Sequence, residues 1–228
     1  RYGAADGLAL TESWLRSIRT AAYRASAKLA AEKGAFPAYD AAILDRPTLA
    51  SLDEATRGLI AEHGLRNGCL TTIAPTGTIS LLAGNTSSGI EPVFAFSYQR
   101  RVRQQDNSFI EEPVQDYALT LWRRLHGDAP PPEHSFVSAQ TLTPADHLAM
   151  QATAQRFIDS SISKTVNCPE DIPFEEFSDI YARAFDLGCK GCTTYRPNAV
   201  TGSLLSVEKS HQTAPLSPPP AALAARPG

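Results

Sequence analysis

Apolar residues recur at spacings of three and four from Thr11 to Lys33, with Leu15, Ile18, Ala22, Ala25 and Leu29 on one face. That period predicts a helix, capped by Thr11 and stopped by Gly34. Pro37 and Pro47 break up the connection after it, and Ser51-Leu-Asp-Glu54 has the form of a capping box for a short helix ending before Gly64. The period then changes. Cys69–Pro75, CLTTIAP, is apolar and β-branched, which suits a buried strand. Ser87–Glu91 has turn composition, and Val93–Tyr98 suits another strand. Glu111–His126 carries Val114, Ala118, Leu121 and Leu125 on one helical face, and GDAPPPEHS after it suits a surface loop.

Thr143-Pro144 supplies a cap and a proline at the first helical position. Met150, Ala154, Phe157, Ile158 and Ile162 extend one face of that helix. Ser163–Pro169 suits a strand, Phe174–Leu187 a helix stopped by Gly188, and Cys189–Arg196 one more strand. Short strands alternating with longer helices predict an α/β protein with a largely buried sheet or barrel.

Composition narrows the picture. A net charge of −3 gives no electrostatic reason for a nucleic-acid or membrane surface. No apolar run approaches the roughly 20 residues of a membrane span, and four cysteines in 228 residues suit a reducing, cytoplasmic setting. The chain begins at Arg1 and its only methionine is Met150, so a fragment without its N-terminal part is the expectation. TAPLSPPPAALAARPG, residues 213–228, is too poor in bulky apolar residues to offset chain entropy. The expected division is a folded portion over 1–207 and a disordered Pro/Ala-rich linker over 208–228.

The candidate chemistry centres on APTGTISLLAG, Ala74–Gly84. A strand-to-helix turn is where α/β folds gather ligands, and Gly77 permits close approach to one. Thr76, Thr78 and Ser80 add hydroxyls beside the free N–H groups of a helix start. A capped turn, with the hydroxyls satisfying the helix, fits the spacing equally well. The Gly-Lys-Ser/Thr ending of a P-loop is absent.

Glu91-Pro92 is either a solvated strand entry or part of a loop lining the same pocket, while Arg100 and Arg101 suit surface or ion-paired positions. Lys164, Thr165 and Asn167 put polar groups on a strand, which needs either partners, a pocket or a solvent-facing end. Cys189-x-x-Cys192 has zinc or redox spacing, but it leads into TTY, and buried packing cysteines fit better. The five histidines show no i, i+4 pair, and no metal site is assigned.

These stretches occur together in an ordered set. RNGCLTTIAPTGTISLLAGNTSSGIEPVFAFSYQRRV, ISKTVN and GCKGCTTYR closely resemble the C-terminal half of the large chain of ribonucleotide reductases, in its adenosylcobalamin-dependent class. The resemblance covers about Thr11 to Ser206. It implies part of the second half of a ten-stranded α/β barrel. It also implies that Pro75, Thr76, Gly77, Thr78, Ile79 and Ser80 cradle the phosphates of a ribonucleotide substrate, with a lean toward diphosphates.

In that family the ribose 2′-hydroxyl is replaced by hydrogen through a thiyl radical started by adenosylcobalamin. A cysteine pair supplies electrons and is recycled by an external thiol reductant such as thioredoxin. The resemblance implies a homodimer for the full-length enzyme. The family's Asn-x-Cys-x-Glu motif does not occur in this chain, so catalytic residues are expected upstream. Cys69, Cys168, Cys189 and Cys192 take none of those roles. A non-catalytic phosphate- or nucleotide-binding module is the alternative, and a zinc module on Cys189 and Cys192 a third.

Overall fold

The computed structural model describes residues 1–197 and 205–206. The expected linker at 208–228 lies outside the described residues.

Helix α1 spans Ala5–Lys33 and ends at Gly34 with φ 79°. It starts six residues before the predicted cap. Thr11 instead donates its hydroxyl to the Gly7 carbonyl four residues back (2.8 Å), a bond available inside a helix. A 3₁₀ turn at Ala41–Asp45 and the short α2 at Pro47–Ala50 lead to α3, Glu54–His63. The cap of α3 is Asp53, whose carboxylate accepts from the Thr56 N–H at 3.0 Å. The expected capping box at Ser51 is therefore displaced by two residues, while the stop at Gly64 is found as predicted. Tyr23, Ala27, Leu49, Leu52, Ile60 and Leu65 form the core between these helices. Arg19 is buried at their edge, where its guanidinium meets the Ser51 hydroxyl (3.1 Å) and faces the Phe157 ring.

Cys69–Pro75 runs extended but is no full strand, and Ile73 makes a single parallel bridge to Ile162. The Ser160 and Ser163 N–H groups donate to the Thr71 and Ile73 carbonyls at 3.0 and 2.9 Å, and side chains add to this ladder. Asp159 Oδ2 accepts from the Leu70 N–H at 2.8 Å, and the Thr71 hydroxyl accepts from the Asp159 N–H at 3.0 Å. The turn then enters α4, Gly77–Leu82.

The next region departs most from expectation. Ser97–Arg103 (β1) and Phe109–Gln115 (β2) form an antiparallel hairpin in unbroken register, Ser97 opposite Gln115 and Arg103 opposite Phe109. The helix expected from Glu111 begins only at Tyr117, as α5, Tyr117–His126, capped by Asp116. Pro113 explains the difference: it has no N–H for a helix interior, yet it is tolerated on an edge strand, and β2 is the edge.

Thr143 caps α6, Pro144–Gln155, with the reciprocal Thr143–Asp146 capping box. The helix ends before Phe157, so Phe157, Ile158 and Ile162 are buried from the following segment rather than from its face. Thr165–Asn167 (β3) pairs in parallel with Thr193–Tyr195 (β4) across α7, Phe174–Asp186. Leu205–Ser206 (β5) pairs with β1. Leu148, Val166, Cys168, Ile172, Ile180 and Ala184 pack where α6, β3 and α7 meet. The protein is thus α/β, with short parallel pairings, and the described residues do not close a barrel.

Candidate functional site

The turn before α4 owes its shape to Thr76, which holds left-handed backbone at φ 50°, ψ 25°. A β-branched residue rarely adopts that conformation. The Thr76 hydroxyl makes no capping bond to α4; it accepts instead from the Gly89 N–H at 2.7 Å. The Ser80 hydroxyl donates to the Thr86 carbonyl. The hydroxyls of Thr76 and Ser80 therefore fasten the loop 84–91 to the turn rather than cap the helix. Neither hydroxyl caps α4, and the first-turn N–H groups of α4 are without an intrahelical partner.

The loop is tied at its other side to the hairpin. Tyr98 donates its hydroxyl to Asn85 Oδ1 at 3.1 Å, and the Asn85 amide reaches the Gln115 carbonyl at 3.4 Å. Turn, loop, hairpin and the β3–β4 pair enclose an open cavity of about 670 Å³. That volume suits a small-molecule ligand. Gly77 and Ser80 line it from α4, Glu91 from the loop, Tyr98 and Arg100 from β1, and Thr165 and Asn167 from β3. A smaller cavity of about 310 Å³ shares the loop around Thr86–Val93.

Of the six turn residues expected at the site, Gly77 and Ser80 face the cavity. Thr76 is half-buried and holds the loop, while Pro75, Thr78 and Ile79 are exposed and outside its lining. Gly77 does not owe its presence to backbone strain: its φ is not positive and a Cβ there would meet nothing within 4 Å. The positive φ that a turn of this kind needs falls one residue earlier, on Thr76.

Glu91 lies in the pocket wall, not in solvent. Its Oε2 is 2.7 Å from Lys164 Nζ, and its Oε1 accepts from the Thr165 N–H. Lys164 is buried beside Thr165, with its side chain fully covered, and its remaining bonds go to His147 Nδ1 at 2.8 Å and to the Thr165 carbonyl. Burial lowers the Lys164 pKa, and the neighbouring Glu91 carboxylate raises it. Burial, then the Lys164 charge, pushes His147 down to about 4. Tyr2 donates to the Ile90 carbonyl at 2.7 Å and is raised by burial and by Glu91. So the polar strand residues divide: Thr165 and Asn167 reach the cavity, and Lys164 stands behind it.

Sequence reasoning missed Asp116, a cavity residue 2% exposed whose Oδ1 accepts from the Ala118 and Leu119 N–H groups. Burial raises its carboxyl pKa against the pull of those donors. The available signal was an Asp directly before a helical run. Arg100 pairs with Glu112 across the hairpin at 2.9 Å, as an ion-paired residue should, but it also faces the cavity. Cys189 and Cys192 pack against the cluster around Val166, where burial raises both thiols. Among the described residues no group of three or more His, Cys, Asp or Glu is arranged to hold a metal.

The family model described as ribonucleotide reductase, barrel domain, matches residues 1–195. A vitamin B12-dependent ribonucleoside-diphosphate reductase of Thermoplasma acidophilum is 33% identical over 221 residues, 90% of this chain and 27% of that protein. One of the same name from Mycobacterium tuberculosis H37Rv is 33% identical over 90% of this chain and 29% of its own length. A vitamin B12-dependent ribonucleotide reductase of Streptantibioticus cattleyicolor is 30% identical over 92% of this chain and 43% of its own. The chain thus spans between 27% and 43% of the length of these relatives.

Proposed function

This chain belongs to the ribonucleotide reductase family, in its barrel domain, and from that premise we propose that it supplies the substrate cradle for reduction of ribonucleoside diphosphates to 2′-deoxyribonucleotides. In this reading the nucleotide lies in the 670 Å³ cavity with its phosphates at the Gly77 end. Amides of the first turn of α4 meet the anion in place of a lysine, while the Ser80 hydroxyl, donating to the Thr86 carbonyl, holds the loop beside them. The observation that carries the reading is the open face of Gly77: a Cβ would meet nothing there within 4 Å, so phosphate oxygens can approach the backbone. The residues assigned are Pro75, Thr76, Gly77, Thr78, Ile79 and Ser80. Gly77 makes contact through its backbone, and the hydroxyls of Thr76 and Ser80 hold the loop.

The relatives are named vitamin B12-dependent, and adenosylcobalamin, the proposed form of that cofactor, would supply the initiating radical when bound. A corrin with its nucleotide arm is larger than this cavity of about 670 Å³, whereas a nucleotide fits within it. No residue of the chain is therefore assigned to the cofactor, and no step is routed through it. An external thiol would return the enzyme to its reduced form. No Asn-x-Cys-x-Glu occurs in the 228 residues, so the chain is proposed to hold substrate without generating the thiyl radical itself. Its partners would be the rest of a reductase and, in the assembled enzyme, a second copy.

The test is titration of the 228-residue chain with CDP and CTP, followed by amide NMR. Shifts concentrated at residues 76–80, larger for CDP, are expected. Shifts that spare this turn would overturn the assignment. Incubation with CDP, adenosylcobalamin and a dithiol should give no dCDP; turnover would contradict the proposed division of labour.

A further inference from the structure

Four asparagines lie among the described residues, and they differ in what surrounds their side-chain amides. Asn67 is the one followed by glycine. Both Asn67 and Gly68 are exposed, on the stretch between Gly64 and the extended Cys69–Pro75. Nothing in the fold requires glycine at 68: its φ is not positive, and a Cβ there would be in ordinary contact with the Phe36 ring at 3.9 Å. What the missing side chain does is leave the Gly68 nitrogen uncrowded beside the Asn67 amide.

Three features meet at that amide. The Gly68 N–H donates to no group among the described residues. Asn67 Oδ1 accepts from the Ser26 hydroxyl at 3.1 Å, while the Ser26 oxygen accepts from the Asn67 N–H at 3.1 Å. Asn67 Nδ2 has no hydrogen-bond partner among the described residues. A nitrogen nucleophile is thus free, and the leaving nitrogen is open to water. The carbonyl between them is polarised by a donor placed to stabilise an oxyanion. Ser26 is 2% exposed on α1, so that donor is held in place. The other asparagines lack this set. The Ser108 N–H after Asn107 donates to Asp106 Oδ1 at 2.9 Å, and the Cys168 N–H after Asn167 donates to the Tyr195 carbonyl at 2.8 Å. The Asn85 amide is held at both atoms, by the Tyr98 hydroxyl and the Gln115 carbonyl, and the branched Thr86 follows it.

We propose that Asn67–Gly68 is a self-modification site, at which the Gly68 nitrogen displaces the Asn67 side-chain amide to give a succinimide that opens to aspartate or isoaspartate. The step balances without oxidant or cofactor. A bond forms between the Gly68 nitrogen and Asn67 Cγ, the Cγ–Nδ2 bond breaks, and ammonia leaves with the Gly68 proton. Water then adds to either ring carbonyl and opens the ring. The chain gains a negative charge and, on the isoaspartate route, an extra backbone carbon. That carbon enters just before Leu70 and Thr71, whose N–H groups are held by Asp159 Oδ2 at 2.8 and 3.3 Å. The anchor of the extended stretch is therefore what the change strains. The site lies outside the cavity and does not depend on the nucleotide reading.

The experiment is ageing of the 228-residue chain at mildly alkaline pH in heavy-oxygen water, followed by peptide mass spectrometry with fragmentation that separates aspartate from isoaspartate. Asn67 should convert first among the four asparagines, with heavy oxygen incorporated and both products present. In the isoaspartate fraction, amide exchange at Leu70 and Thr71 should quicken. The wild-type series needs no variant to fold. Gly68→Ala fits its surroundings and should slow conversion about tenfold or more, because a side chain crowds the attacking nitrogen. Ser26→Ala should slow conversion in the folded chain and leave it unchanged in urea, as expected of a hydroxyl that acts through the native contact. Conversion of Asn85, Asn107 or Asn167 ahead of Asn67 would overturn the proposal. So would an intact Asn67 in the folded chain over a period in which the urea-unfolded chain converts there. An equal rate in Gly68→Ala would exclude attack by that nitrogen, and faster conversion in folded Ser26→Ala would show that Ser26 restrains the amide rather than activates it.

Discussion

The Thr76 hydroxyl and the Gly89 N–H meet at 2.7 Å, and both residues hold left-handed backbone, φ 50° and 56°. The bond joins the turn before α4 to the loop that carries Glu91. It shows why a threonine occupies a position where glycine would be less strained: the hydroxyl is needed.

Gly89 should be intolerant of any side chain. A Cβ there would lie 2.7 Å from the Ala74 carbonyl oxygen, which is backbone and does not move aside easily. Its positive φ adds about 1–2 kcal/mol for a non-glycine residue. Gly89→Ala is expected to lower stability by at least that much and to speed amide exchange over residues 87–91. Denaturant unfolding and hydrogen exchange check both. Unchanged exchange in that loop would show that the contact does not hold it.

Gly77 should behave in the opposite way. Space around it is open and its φ is ordinary, so Gly77→Val should change stability by only about 0.5 kcal/mol. Pyrophosphate and CDP affinity should nevertheless fall about tenfold or more, because the new side chain stands where the anion approaches. Calorimetry on a variant whose melting temperature matches wild type separates the two effects. Retained affinity would remove Gly77 from the cradle.

Much of this arrangement is legible in the sequence. Gly34, Gly64 and Gly188 end helices where expected, and Thr143-Pro144 opens one. Those signals are local: a cap or a stop acts within one turn of its own residue. The β1–β2 hairpin is not legible by period, because Val114, Ala118, Leu121 and Leu125 mimic a helical face across what proves to be a strand, a cap and a helix. Pro113 is the contrary signal within that stretch. The Glu91–Lys164 pair is out of reach, since its members lie 73 residues apart and nothing local to either names the other. The turn itself stands out as a whole, but which of its residues face inward depends on the left-handed Thr76, which no propensity favours.

His147 should make the fold acid-sensitive above the carboxylate range. Its pKa falls from 6.5 to about 4, through burial first and the Lys164 charge second, while Asp146 opposes the shift. Lys164 Nζ faces it at 2.8 Å and the Tyr2 ring stands edge-on at 6.2 Å. The unfolded chain therefore takes up this proton more readily than the folded one. Stability should be complete near pH 7 and decline by about 2–3 kcal/mol as pH falls from 6.5 toward 4. His147→Gln keeps an acceptor for Lys164 and should flatten urea midpoints across that interval. An undiminished slope in the variant would assign the acid sensitivity to other groups.

The cysteines should divide by accessibility. Cys69 is exposed, whereas burial raises the thiols of Cys168, Cys189 and Cys192. Since the thiolate is the reactive form, iodoacetamide at about pH 7 should label Cys69 first, the half-buried Cys189 and Cys192 more slowly, and the buried Cys168 only as the chain unfolds. Peptide mass spectrometry of a time course checks the order. Early labelling of the Cys189–Cys192 pair would reopen a redox role for it.

Finally, the two members of the buried ion pair should not be equivalent. Lys164 has no exposed side-chain surface and Glu91 has 23%. Removing Glu91 as Glu91→Leu strands an ammonium with no access to water, the situation that costs about 3–5 kcal/mol. The lysine can escape part of that only by giving up its proton, toward which burial already pushes it. Removing Lys164 as Lys164→Met leaves a carboxylate that water reaches from the cavity and that keeps the Thr165 N–H. It should therefore cost less. The double variant, with leucine facing methionine, should regain much of the loss, because neither charge is then left alone. Denaturant unfolding of the three variants tests this order. A Lys164→Met variant less stable than Glu91→Leu would mean that the lysine's bonds to His147 and Thr165, rather than its charge on Glu91, are what the fold depends on.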